Sequence, residues 1–106
     1  MERSLRGNKK KIRMKLRYTT QAQIDIDITV GWYEKQRKGL GIEFLNSIDT
    51  TTNRILENPA SYPQKHKDYR SALIRKFPFT VFYIAEETEV VVHAVFDNRQ
   101  DPEKRP

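Results

Sequence analysis

Hydrophobic residues fill both alternating sets of positions between Phe77 and Phe96, where the sequence reads FPFTVFYIAEETEVVVHAVF. An acidic turn at residues 86–89 divides this stretch into two runs of β-forming residues. Because side chains alternate along a strand, a sheet with one face in water would alternate apolar with polar residues. The pattern therefore predicts two paired strands that are covered on both faces. One face is expected to carry Phe79, Val81, Tyr83, Ala85, Val90, Val92, Ala94 and Phe96, and the other Phe82, Ile84, Val91, His93 and Val95.

The first part of the chain predicts one strand and one helix. Alternation from Ile12 to Tyr18 indicates a half-buried strand, and Thr19 or Thr20 can cap the helix that follows. Residues 21–36 have apolar side chains at every second position from Ile24 onward, which is also compatible with a strand. A helix is favoured by the length of the segment and by two apolar stripes at helical spacing, Ala22, Ile26, Val30 and Tyr33 in one and Ile24, Ile28 and Trp32 in the other.

A turn at Gly39 and Gly41 separates this helix from a second one, predicted over residues 41–57. The second helix ends before Pro59, because proline lacks an amide donor and disfavours helix in the residue before it. Residues 60–67 are typical of a polar loop, and residues 69–76 predict a further strand.

The predicted order of elements is β-α-α-β-β-β, which indicates an α+β fold class. In this fold a helical hairpin packs on one face of a small, mainly antiparallel sheet. The opposite face then stays apolar, and a large apolar surface on a small domain usually marks a binding site for a partner.

The net charge of +6 is concentrated near the N-terminus. Residues 1–17 hold eight Lys and Arg but one carboxylate, so the rest of the chain is close to neutral. This distribution predicts a basic, flexible arm over residues 1–11, a folded domain over residues 12–102 and a charged tail over residues 103–106. It weakens the hypothesis of a small basic nucleic-acid-binding module, which the overall charge would otherwise suggest.

The residue types present argue against several kinds of site. The chain has no cysteine, and its histidines and carboxylates do not show the spacing of metal ligands, so we expect neither a metal nor another cofactor. No apolar run approaches the length of a membrane span. We therefore expect a cytoplasmic protein with no membrane contact.

Four segments resemble, in order and spacing, the RelE/ParE superfamily of bacterial type II toxins, and within it the ParE-like plasmid-stabilisation group. They are WYEKQRKGLGIEFLNSI (residues 32–48), RILENPASYP (54–63), RSALIRKFPFTVFY (70–83) and VVVHAVFDNRQDP (90–102). The resemblance implies a toxin that is held inactive in a hetero-oligomer with its cognate antitoxin, a small, acidic protein encoded next to it.

The resemblance leaves two targets open. ParE-like members poison DNA gyrase by binding, whereas RelE-like members cleave mRNA on the ribosome, which needs an acid, a base and cations around the phosphate. The RNA-cleaving relatives carry lysines and an arginine at positions that are Ser71, Leu73 and Thr80 here, and Asp97 stands where many of them have histidine or tyrosine. These departures favour gyrase inhibition without catalysis. A ribosome-dependent mRNA endoribonuclease is the alternative.

The candidate site residues lie on the last three predicted strands and their turns. An improvised catalytic site would use Arg70, Arg75, His93 and Arg99. For contact with the antitoxin or the target the candidates are Arg70, Arg75, Lys76, Phe82, Val91, His93, Val95, Asp97 and Arg99. Trp32 is expected either to pack between the helices or to lie in an interface.

Overall fold

The computed structural model describes residues 14–106. The predicted arm over residues 1–11 and the first two residues of the predicted domain lie outside this range. The elements in chain order are β1 Lys15–Tyr18, α1 Thr20–Gln36, α2 Leu40–Glu57, a 3-10 turn Pro59–Ser61, β2 Gln64–His66, β3 Tyr69–Leu73, β4 Phe79–Ala85, β5 Glu89–Asp97 and a 3-10 turn Pro102–Lys104. None of the helices in this range is both long enough and apolar enough to cross a membrane.

The strands form one mixed sheet in the order β1-β5-β4-β3-β2. β1 runs parallel to β5, and all other neighbours are antiparallel. The buried side chains of α1 and α2 share one core with one face of this sheet. The predicted α+β fold with a helical hairpin on a mainly antiparallel sheet is confirmed. The short strand β2 is an addition, since its residues were predicted to be loop.

The segment with alternating isoleucines is the helix α1. Its cap is Thr19, whose hydroxyl accepts a hydrogen bond from the amide of Ala22 at 3.1 Å. Only one of its two apolar stripes can face the sheet, because successive residues are rotated by about 100° around a helix. The stripe that includes Ala22, Ile26 and Tyr33 is buried.

An aromatic cluster joins the two helices to the sheet. The ring of Phe77 lies 5.0 Å from that of Tyr33 and 5.1 Å from that of Phe44, and Phe44 lies 5.2 Å from Phe79, all measured between centroids. Nearby, the buried hydroxyl of Tyr83 donates a hydrogen bond to the carbonyl of Pro59 at 2.6 Å. Burial raises the pKa of Tyr83 to about 12. These contacts fix β4 against both helices and against the chain that follows α2.

The turn between the helices depends on two glycines and one carboxylate. Gly39 precedes α2 with a φ of 90°, a left-handed conformation that glycine adopts without steric cost. The Glu34 carboxylate accepts hydrogen bonds from the amides of Gly39 (2.9 Å) and Gly41 (3.0 Å), and these bonds lower the pKa of Glu34. A Cβ on Gly41 would lie 3.0 Å from the carbonyl oxygen of Val30. Gly41 is therefore required by the close approach of α1 and α2.

We expect Gly41→Ala to reduce the free energy of unfolding by about 1–3 kcal/mol, because the added methyl overpacks the contact between the helices. Gly31→Ala is the matched control. A Cβ on Gly31 meets no atom within 4 Å, so alanine there should stabilise α1 by up to about 1 kcal/mol. Chemical denaturation of the two variants and the parent measures both changes. Equal responses of the two variants would contradict the close contact at Gly41.

A β-bulge in β5 changes which side chains face the helices. Phe82 and Tyr83 are adjacent on β4, but their partners Ala94 and Val92 are separated on β5 by His93. His93 therefore has no residue opposite it. One extra residue in a strand reverses the alternation of all residues that follow it.

The bulge corrects three of the predicted orientations. Val95, which was expected on the face away from the helices, belongs to the core and is 4% exposed. Ala94 and Phe96, which were expected to face the helices, lie on the opposite face, where the Phe96 ring is 6.2 Å from that of Phe82. Val95 was predicted to lie on the surface and to contact a partner. This prediction is wrong, because its side chain lies in the core.

Candidate functional site

The face of the sheet opposite the helices, here called the open face, is the first candidate surface. It carries Phe82, Val91 and Phe96, which are buried but are not part of the core cluster beneath the helices. The guanidinium carbon of Arg105 lies 5.7 Å from the centroid of the Phe96 ring. The C-terminal segment thus folds back onto this face. Phe82 and Val91 have the predicted orientation, and their contact with an antitoxin stays a prediction.

Three positions on the polar part of the open face are cationic in the RNA-cleaving relatives. Here they carry the neutral residues Ser71, Leu73 and Thr80. Leu73 on β3 pairs with Thr80 on β4, and Ser71 pairs with Phe82. The hydroxyl of Thr80 donates a hydrogen bond to Oδ1 of Asn98 at 2.7 Å. These neutral side chains offer hydrogen bonds and apolar contact but no charge that could balance a reacting phosphate.

The three predicted cations of the β3 region have different surroundings. Arg70 faces the helices, and its Nη1 donates to the carbonyls of Tyr62 (2.7 Å) and Ala60 (3.4 Å). Its role is therefore to hold the loop that follows α2. Arg75 and Lys76 lie in the turn between β3 and β4 and are exposed, with Lys76 at a φ of 72°. Arg70, by contrast, is half-buried, so of the three only Arg75 and Lys76 are exposed.

Asp97 and Arg99 form a bidentate ion pair at the end of β5. Nε of Arg99 donates to Oδ1 of Asp97 at 2.8 Å, and Nη2 donates to Oδ2 at 2.9 Å. This hydrogen bonding lowers the pKa of Asp97 and raises that of Arg99. The Arg99 guanidinium carbon also lies 5.8 Å from the ring centroids of Trp32 and Phe79. A guanidinium held by a carboxylate and two rings is suited to docking a partner rather than to moving protons.

The four candidate catalytic residues are not brought together. Arg70 faces the helices, Arg75 lies in the β3–β4 turn and Arg99 is paired beneath Trp32. His93 lies at the bulge, with its ring edge-on to Tyr69 at 5.3 Å. Among the side chains that the structure describes, no group of three could hold a metal ion.

The second candidate surface is the exposed apolar stripe of α1, formed by Ile24, Ile28 and Trp32 and here called the α1 stripe. Its residues recur every four positions and so lie along one side of the helix. Ile28 is 68% exposed. Sequence analysis found both stripes of this helix but did not identify which one is exposed. The sequence did indicate that one stripe would be exposed, because a helix that packs on a single sheet can bury only one of its two apolar stripes.

A groove of about 760 Å³ separates the α1 stripe from the second half of β5. It exists because β1 pairs with β5 only as far as Val92. Beyond that point α1 takes over the edge of β5, and Oδ2 of Asp25 accepts a hydrogen bond from the amide of Val95 at 3.1 Å. Ile28 and Trp32 line one side of the groove, and the Asp97–Arg99 pair lies at its rim. The groove and the α1 stripe form one continuous surface of apolar and paired charged groups.

The chain matches a family model described as the ParE toxin of the type II toxin-antitoxin system parDE, over residues 16–102. The chain belongs to the ParE toxin family. The predicted identification as a ParE-like toxin of a type II system is thus confirmed, and the family implies an antitoxin partner.

The fold of this ParE-family toxin is also found among solved structures, ten chains of which match it. One of them, described as the chromosomal ParDE TA system from P. aeruginosa, has a TM-score of 0.70 and 14% sequence identity. The similarity covers 82% of this chain and 98% of that chain. At this level of identity the similarity shows a shared fold. No curated protein matches the chain.

Proposed function

We propose that this ParE-family toxin acts in the cytoplasm by binding and inhibiting DNA gyrase, without cleaving nucleic acid. The proposal is supported by the neutral centre of the open face, where Ser71, Leu73 and Thr80 hold positions that are cationic in RNA-cleaving relatives. Arg99 does not supply the missing charge, because Asp97 neutralises it. Other cations line the same cleft as the three neutral residues, but none of them occupies the three strand positions: Arg54, Lys65, Arg75 and Arg105. RNA cleavage would lack cations held at the positions where the RNA-cleaving relatives carry them, and the proposal rests on this departure.

The cognate antitoxin is proposed to be a small acidic protein that covers the α1 stripe with the apolar side of an amphipathic helix. The exposed isoleucines and tryptophan recur at spacings of four and so form an apolar ridge along α1, against which the apolar side of a second helix can pack. His93, Asp97 and Arg99 would contact the antitoxin at the groove, and the exposed Arg75 and Lys76 offer charge complementarity to its carboxylates. In this proposal the two proteins form a hetero-oligomer in which the toxin is inactive.

Two assays with the purified toxin separate gyrase inhibition from RNA cleavage. In the first, we expect the toxin to block supercoiling of relaxed plasmid by gyrase, and preincubation with the protein encoded next to it should restore supercoiling. In the second, mRNA on translating ribosomes should stay intact at the same toxin concentration. Ribosome-dependent mRNA cleavage together with unaffected gyrase would overturn the proposal in favour of the endoribonuclease alternative.

A further inference from the structure

Gly31 has no explanation within the fold of a single toxin molecule. It lies inside α1, where glycine costs about 1 kcal/mol relative to alanine. Its backbone is not left-handed, unlike that of Gly39, and a Cβ on Gly31 would meet no atom within 4 Å. Neither backbone conformation nor packing against α2 therefore requires glycine at this position. Another use of glycine in a helix is to let a second backbone approach closely.

Gly31 lies on the same side of α1 as the exposed apolar stripe. Seven residues are almost two turns of a helix, so Gly31 lies within about 20° of Ile24 around the helix axis. It follows Ile28 by three residues, and both are exposed. The stripe thus combines a projecting side chain, Ile28, with a gap one turn further on. Helices pack by placing the side chains of one into the gaps of the other.

The charges of α1 are divided between its two ends. Residues 20–30 contain Asp25 and Asp27 but no lysine or arginine, whereas the last turn carries Lys35. Glu34, the one carboxylate in the second half of α1, is held by two amides of the turn that follows. Asp27 and Lys35 are not among the ion pairs formed within residues 14–106. Such a helix is complementary in charge to a second copy of itself that runs in the opposite direction.

We infer that, in the absence of antitoxin, the toxin forms a symmetric dimer through two antiparallel α1 helices. Ile28 of each copy packs over Gly31 of the other, and Lys35 of each copy then lies opposite Ile24 and within reach of Asp27 of the other. Because the two copies use the same surface, the contact closes at two molecules. The dimer does not rest on the proposed action on gyrase, and its test uses the toxin alone.

The dimer is expected to be weak. A contact made mainly by one helix from each copy belongs to the smallest class of specific interfaces, which bury less than about 1,200 Å² in total. We therefore expect a dissociation constant in the micromolar range. The dimer covers the same α1 stripe that the antitoxin is proposed to cover. A second toxin molecule and the antitoxin consequently exclude each other, and the partner that buries more surface displaces the other.

The first test is sedimentation velocity of the purified toxin at concentrations from about 1 to 200 μM, which should show a reversible change from monomer to dimer. Gly31→Leu is the decisive variant. Leucine is a better helix former than glycine, so the variant should resist denaturant better at low concentration, yet it fills the gap and should weaken dimerisation at least about ten-fold. Non-specific association of apolar surfaces would instead become stronger with the added leucine.

A charge exchange tests the pairing of the two helices. Lys35→Glu should weaken the dimer at least about ten-fold, because it places a carboxylate near Asp27 of the other copy. Adding Asp27→Lys to the same chain exchanges the two charges and should restore dimerisation. Lys65→Glu, the same reversal on β2, is the control and should leave the dimer unchanged. Circular dichroism checks that each variant is folded.

Disulfide trapping tests the direction of the helices, because the chain has no cysteine of its own. A mixture of Ile24→Cys and Lys35→Cys should form a disulfide-linked heterodimer under mild oxidation, whereas Lys35→Cys alone should not, because its two sulfurs would lie at opposite ends of the contact. The inference is overturned if the toxin stays monomeric throughout the concentration range, if Gly31→Leu dimerises as strongly as the parent, or if Lys35→Cys links to itself as efficiently as to Ile24→Cys.

Discussion

Replacing Val95 by aspartate is expected to unfold the protein, whereas the same replacement at the adjacent Ala94 leaves it folded. Val95 is 4% exposed in the core beneath the helices, and its amide already binds the Asp25 carboxylate. An aspartate there would be a buried charge without a cation and close to a second carboxylate. We expect a loss of at least about 4 kcal/mol, comparable with the whole stability of a marginal domain.

The matched change at Ala94 is informative because the two residues are neighbours in the same strand. Ala94 lies opposite Phe82 on the open face and is partly exposed, so Ala94→Asp should cost no more than about 1 kcal/mol. If Val95→Asp gives no soluble protein, Val95→Ala provides a measurable version, with an expected cost of about 1–3 kcal/mol from lost packing. Urea denaturation of these variants measures the differences. A larger loss for Ala94→Asp than for Val95→Asp would show that β5 does not carry the bulge at His93.

Ile28→Asp should weaken binding of the antitoxin at least about thirty-fold, corresponding to the loss of a central interface contact of about 2 kcal/mol. Ile28 lies at the middle of the α1 stripe, and a carboxylate there would have to be buried against the apolar side of the partner helix. Its exposure in the free toxin predicts little change in stability. Isothermal titration calorimetry with the antitoxin measures the affinity.

Ile42→Asp is the control for this prediction. Ile42 is also a largely exposed isoleucine, but it lies on α2, away from the α1 stripe and the groove. We expect this variant to bind the antitoxin with nearly the affinity of the parent. An equal loss of affinity in the two variants would place the antitoxin on the helical hairpin as a whole, and an unchanged affinity in Ile28→Asp would remove the α1 stripe from the interface.

The candidate site was only partly predictable from the sequence. The absence of cations at Ser71, Leu73 and Thr80 follows directly from residue identity, and it is the observation on which the proposed mode of action rests. The role of Arg70 could not be predicted in this way. Its hydrogen bonds to the carbonyls of Ala60 and Tyr62 form only because the loop after α2 folds back against β3. The same applies to Arg99, which sequence analysis proposed as a catalytic or partner-binding residue and which the fold pairs with Asp97 beneath Trp32.

By itself the sequence determined the elements whose signals are local. The threonine cap of α1, predicted at Thr19 or Thr20 and found at Thr19, the glycine turn between the helices and the end of α2 before Pro59 each depend on a few adjacent residues. The tertiary structure alone decided which stripe of α1 is buried and where β5 bulges. Each of these depends on pairing or packing between distant segments, and a single extra residue at His93 reverses the orientation of the residues after it. The physical reason is that alternation along a strand is a local property, whereas register belongs to a pair of strands.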